Sequence, residues 1–131
     1  MKKIIMMVAC AWLSVIAIAQ PMVHDPVMAY EDSTYHLFAT GMGIQHITSH
    51  DRKNWTVLPN PVMSVIPKWA MDSVPGFRLH VWAPDVIKYH GKWWMAYSCS
   101  TFGKNTSAMF VQPFNNSNIY LCKRFCILIL P

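Results

Sequence analysis

An all-β fold assembled from repeated hairpins is what this sequence predicts, on three observations. Aromatic residues make up 13% of the chain and charged residues the same share, a balance suited to sheets with buried faces. Short β-rich runs alternate with polar turns through the middle of the chain. Two of the resulting units also resemble each other at a fixed period.

The first unit is Val27-Met28-Ala29-Tyr30, a turn at Glu31-Asp32-Ser33, then Tyr35-His36-Leu37-Phe38-Ala39-Thr40. The second is Val86-Ile87-Lys88-Tyr89, a turn at His90-Gly91, then Trp93-Trp94-Met95-Ala96-Tyr97-Ser98. Val27 to Val86 and Tyr30 to Tyr89 are 59 apart, whereas Tyr35 to Trp93, Leu37 to Met95 and Thr40 to Ser98 are 58 apart. The second turn therefore reads as one residue shorter. Ile44 to Thr48 and Trp55 to Leu58 supply further short strands, separated by the polar Ser49-His50-Asp51-Arg52-Lys53-Asn54. A β unit recurring at this period points to a propeller, whose four-stranded blades close a ring. The competing explanation is a chance likeness between two amphipathic hairpins. The chain offers one full unit and the start of a second.

The two ends read differently. Lys2 and Lys3 precede an uncharged apolar run from Ile4 to Ala19, closed by the small-x-small triplet Ala17-Ile18-Ala19. Residues 1–19 thus read as a secretory signal peptide with Gln20 as the first mature residue. The run is short for a bilayer span, which needs about 20 apolar residues, although an N-terminal anchor is the alternative. The predicted location is secreted or periplasmic, with no membrane association after cleavage.

The 131-residue chain has 11 Lys and Arg against six Asp and Glu. Lys2, Lys3, Lys123 and Arg124 lie at its ends, which leaves seven basic against six acidic residues between them. No nucleic-acid-binding patch follows from that balance. Once Cys10 leaves with the signal, Cys99, Cys122 and Cys126 form no disulfide framework. No His follows His90 to complete a zinc site with Cys122 and Cys126, and the six His lack ligand spacing. Neither a metal nor another cofactor is expected.

Several ordered motifs carry a family resemblance. They are His24-Asp25-Pro26; Tyr35 through Ile44; Ser49-His50-Asp51 with Trp55; Trp82-Ala83-Pro84-Asp85; Gly91-Lys92-Trp93-Trp94; and Ser98 through Ala108. In this order and spacing, over Val23 to Met109, the sequence resembles glycoside hydrolase family 43, and within it the endo-1,5-α-L-arabinanases. The resemblance implies a five-bladed β-propeller, of which this chain holds the first one to two blades. It also implies an inverting glycosidase acting on α-1,5-linked arabinan, the side chains of pectin, with two carboxylates as base and acid.

Asp25 falls on the position of the general base. Read from the residues alone, it is better explained as a cap on the turn before the first strand. Trp82 and Phe102 fall on sugar-platform positions, where a flat apolar face suits sugar C–H groups. Gly103 and Asn105 match the substrate-contacting loop. Asp85 is read as structural, tied into backbone hydrogen bonds. After Asp85 the sequence has no Asp or Glu, so the general acid expected by the family is missing and the piece is expected to be inactive alone.

The resemblance fades from about Phe110, which divides the chain into signal 1–19, propeller part 20–111 and a tail 112–131 resembling out-of-frame translation. The alternative functions are a non-catalytic, secreted carbohydrate-binding propeller piece and a pseudogene product.

Overall fold

Both hairpins turn through two residues in the left-handed region. Asp32 and Ser33 have φ of 47° and 59°, and His90 and Gly91 have 49° and 72°, the pattern of type I′ turns. Such turns match the right-handed twist of the strands they join, and Asp and Gly tolerate the conformation best. Glu31 pairs with Thr34 across the first turn and Tyr89 with Lys92 across the second. The two turns are therefore equal in length, which corrects the one-residue deletion read from the sequence. Glu31 is polar but belongs to the strand, because its carboxylate has partners on the neighbouring sheet. The 58-residue spacing of Tyr35 and Trp93 runs through the whole hairpin, and the 59-residue matches fall one position out of step.

The computed structural model describes residues 20–65, 68–104 and 106–114, with the backbone alone for 126–130. The signal segment 1–19, residues 66–67, Asn105, residues 115–125 and Pro131 lie outside the described residues. The elements are β1 (Val27–Glu31), β2 (Thr34–Ala39), β3 (Gly41–Met42), β4 (Gln45–Ser49), β5 (Thr56–Val57), α1 (Lys68–Ser73), β6 (His80–Tyr89), β7 (Lys92–Ser100), β8 (Ser107–Phe114) and β9 (Cys126–Leu130). The first sheet has the order β1-β2-β4-β5 and the second β3-β6-β7-β8-β9. All pairings are antiparallel. Among the described residues the fold is all-β apart from one six-residue helix, on which Asp72 forms an i,i+4 pair with Lys68. Among the described residues no helix is long and apolar enough to cross a membrane.

Alternation along the strands builds the core. Met95, Tyr97 and Cys99 on β7, with Ala108, Phe110 and Phe114 on β8, turn one face inward. Ala29 and Phe38 face them from the first sheet, and Phe38 meets Phe114 edge-on at 5.4 Å. α1 and its flanking loop close the side, with Trp69 against Phe110 at 4.3 Å and Ala70, Val74 and Phe77 buried. Glu31 joins the sheets at the turn end, accepting from Lys88 Nζ at 2.6 Å and from Trp93 Nε1 at 2.6 Å. Burial pushes the Cys99 thiol up to about 12, which makes it an inert core group.

His36, Phe38 and His46 stack on the first sheet, with His36 Nδ1 and His46 Nε2 3.0 Å apart. His46 is 1% exposed, and burial holds its imidazole down to about 4. A histidine kept neutral when folded but titrating near 6.5 when unfolded contributes stability that is complete above the unfolded value. That contribution falls as pH drops from about 6.5 toward about 4. Between neutral pH and about pH 5, His46 should account for the loss of about 2 kcal/mol of unfolding free energy. Urea unfolding at both pH values checks this. His46→Phe should flatten the dependence, and an unchanged slope would contradict the assignment.

Candidate active site

Asp25 precedes Pro26, whose ring disfavours the right-handed helical region for the residue before it. Asp25 adopts φ 47° instead, a conformation that aspartate tolerates. The bend is pinned by the Thr40 N–H donating to the His24 carbonyl at 2.9 Å. Thr40 sits between β2 and β3, where the chain leaves the first sheet for the second. Its hydroxyl donates to Asp25 Oδ2 at 3.0 Å and accepts from the Ala83 N–H at 2.8 Å. The His24 ring lies against the same oxygen, with Nδ1 2.7 Å from Oδ2. The Thr40 hydroxyl first, and the His24 ring next, hold the Asp25 carboxyl below the usual carboxylate range. Its side chain remains 42% exposed. The arrangement is an open, ionised carboxylate with fixed orientation, able to accept a proton from a bound hydroxyl or water.

The aromatic pair lies along the same junction. Trp82 precedes Ala83, and Ala83 itself has φ 45° inside the irregularity that breaks the β6–β7 ladder between Trp82 and Asp85. Trp82 stacks on Phe102 with ring centres 5.9 Å apart and planes at 27°, and its other neighbour, the His80 ring, lies tilted at 48° with ring centres 4.2 Å apart. Phe102 is 83% exposed, an unusual exposure for so large an apolar ring. Its loop is anchored by Thr101 Oγ1 donating to the Pro75 carbonyl at 2.7 Å and closed by Lys104 N–H to the Thr101 carbonyl at 3.1 Å. Gly103 has φ 73° with open space where a Cβ would be. Asn105 lies outside the described residues.

Asp85, Glu31, Asp72 and Asp51 are engaged in bonds of their own. Asp85 Oδ1 accepts from the Val86 N–H at 2.9 Å, Glu31 holds Lys88 and Trp93, and Asp72 pairs with Lys68. Asp51 accepts from the Lys53 and Asn54 N–H groups, both at 2.8 Å, and from Asn54 Nδ2, which organises the loop between β4 and β5. Among the described residues no cluster of three or more His, Cys, Asp or Glu could hold a metal ion. Of the residues singled out in the sequence, the structure joins Asp25 to the Trp82 segment through Thr40 and Ala83, and stacks Trp82 on Phe102. Sequence reasoning missed Thr40 and Ala83 as parts of the site. Thr40 reads in the sequence as a repeat position and a member of the family motif 35–44, with no role attached, and an alanine backbone N–H leaves no compositional trace.

Residues 16–117 match the sequence model of Glycosyl hydrolases family 43. The chain belongs to that family. It is 42% identical over 108 residues to an extracellular exo-α-(1→5)-L-arabinofuranosidase of Cellvibrio japonicus, covering 76% of this chain and 31% of the relative. It is 39% identical over 92 residues to an extracellular endo-α-(1→5)-L-arabinanase of Bacillus subtilis, covering 67% and 28%. A solved structure, a Cellvibrio cellulosa α-L-arabinanase complexed with arabinohexaose, matches at a TM-score of 0.68 with 43% identity, covering 76% of this chain and 31% of that one. The chain thus spans about a third of the length of these relatives. The family match runs through β8, whose pairing with β7 extends to Trp93↔Phe114.

Proposed function

We propose that this chain is the N-terminal part of a secreted, five-bladed propeller glycosidase that hydrolyses α-1,5-linked arabinan with inversion, and that Asp25 is its general base. The observation that carries this reading is the exposed Asp25 carboxylate, ionised and fixed by its hydrogen bonds, at the same junction as the Trp82–Phe102 platform. A base that activates water must be deprotonated at the working pH and must present a free oxygen. A furanose ring needs a flat apolar surface beside it, and Phe102, 83% exposed, supplies one. The names of the Cellvibrio and Bacillus relatives support arabinan as the substrate, and their extracellular designation supports secretion behind the signal at residues 1–19.

In this reading the general acid belongs to sequence beyond the third of the relatives' length that this chain spans. An inverting pair stands about 6.5–9.5 Å apart, with water and the scissile bond between them. Glu31, Asp72 and Asp85, held by the bonds described above, serve structure instead. Activity then requires the catalytic region to be extended, for example by fusing residues 20–111 to the C-terminal remainder of the Cellvibrio japonicus relative.

The test is reducing-sugar release by that extended protein from linear arabinan, with xylan as the comparison. Release from arabinan alone is the expected result, and equal release from both would reject the substrate. Phe102→Ala should raise KM for arabino-oligosaccharides about 5- to 10-fold, the loss of about 1 kcal/mol of stacking. A KM unchanged by that substitution would remove Phe102 from the site.

A further inference from the structure

We infer that Thr40 is the positioning residue for Asp25, fixing Oδ2 so that Oδ1 is the oxygen presented to the attacking water. This deepens the reading of Asp25 as base and rests on it. A threonine hydroxyl has one proton to give and lone pairs with which to accept. The Ala83 N–H donates to Thr40 Oγ1 at 2.8 Å, so the hydroxyl is already an acceptor from the second sheet. Its single proton is then directed to Asp25 Oδ2 at 3.0 Å. The His24 ring contacts the same oxygen, so Oδ2 carries two partners, and among the described residues no hydrogen bond reaches Oδ1.

The two partners differ in rigidity. The His24 side chain is 75% exposed, whereas Thr40 is fixed on three sides. Its N–H is bound to His24 O, its oxygen accepts from Ala83, and its proton lies on Asp25. Ala83 supplies the orienting N–H only because it departs from the ladder. It has φ 45° within the irregular stretch between Trp82 and Asp85, where an ordinary strand residue would spend its N–H on a neighbouring strand. A left-handed alanine is a local strain of the kind that persists where surrounding structure requires it. Here its consequence is that the second sheet sets the orientation of a carboxylate at the bend leading into the first.

The experiment follows the Asp25 side-chain carboxyl by carbon NMR in the 131-residue chain, with Asp25→Asn assigning the resonance. Thr40→Val should move its titration midpoint upward, and Thr40→Ser, which keeps the hydroxyl, should leave it near that of the unaltered chain. The Ala83 amide should shift in step with the Asp25 titration, and Asp25→Asn should abolish that shift. A Thr40→Val midpoint equal to the unaltered one overturns the proposal. So does an Ala83 amide that ignores Asp25. Should Thr40→Val fail to fold, the Ala83 amide of the unaltered chain decides alone. Failure of the underlying reading looks different: Asp25 answers to Thr40 in these titrations, yet Asp25→Asn leaves hydrolysis by the extended protein intact. In the extended protein the same relay predicts an acid limb of kcat/KM that moves upward with Thr40→Val and returns with Thr40→Ser.

Discussion

Gly43→Ala is expected to abolish cooperative unfolding of the chain. A Cβ at this position would lie 2.0 Å from the Met63 carbonyl oxygen, inside any permitted contact, and the obstructing atom is backbone. The residue also has φ 76°, which costs an L side chain about 1–2 kcal/mol before any clash is counted. Relief requires the segment ending at Met63 to move away. Two bonds then go: Met63 N–H to the Gly43 carbonyl at 2.7 Å and Val62 N–H to the Ile44 carbonyl at 3.0 Å. At about 1 kcal/mol each, with the loss of packing at Val62 and Met63, both 2% exposed, the total approaches or exceeds about 4 kcal/mol. Domains of ordinary stability have only about 5–15 kcal/mol in all. Gly103→Ala is the control, since it shares the left-handed backbone but meets open space. It should cost only about 1 kcal/mol in urea unfolding. Equal midpoints for the two variants would show that the contact at Met63 is not the constraint.

Asp25→Asn is expected to lower turnover by the extended protein by about 10³-fold or more while leaving its unfolding midpoint nearly unchanged. The amide is close to the carboxylate in size and can still accept from Thr40, so the bend between His24 and Pro26 survives. What disappears is the ability to take a proton, and positioned general bases contribute roughly 10²–10⁴-fold. Because this carboxyl lies below the usual carboxylate range, it stays ionised into acidic pH. The acid limb of kcat/KM should accordingly fall below the limb expected of an unbonded aspartate. A parallel collapse of stability and turnover would return Asp25 to the role of a turn cap.

Local rules made the hairpins legible. Alternating apolar residues on Tyr35 to Thr40 and Trp93 to Ser98 are sufficient for strands, and both segments are strands. The polar string from Ser49 to Asn54 is a loop organised by Asp51, as its composition suggests. The turn length was misjudged because polarity was taken for turn position. Glu31 is polar for the sake of Lys88 and Trp93, and a partner some 60 residues away leaves no trace in the local pattern. The short helix was missed for a similar reason. Lys68–Ser73 is too short for helical periodicity to register, and it holds its place by seating Trp69 on Phe110.

The candidate site was legible where it is made of side-chain chemistry. Asp25, Trp82 and Phe102 belong to residue types that announce themselves, and the family resemblance placed them. The connection between them was not legible, because it runs through a hydroxyl at a crossover and a main-chain N–H freed by an irregular strand. Such links depend on how two sheets meet, which neither hairpin specifies by itself.

The account is tested most directly by reducing-sugar release from linear arabinan, measured for the 131-residue chain beside the extended protein, each with and without Asp25→Asn. The expected result is no release by the short chain and release by the extended protein that disappears with Asp25→Asn. Clear release by the short chain, lost on Asp25→Asn, would contradict the account, because the general acid would then lie among Glu31, Asp32, Asp51, Asp72 and Asp85.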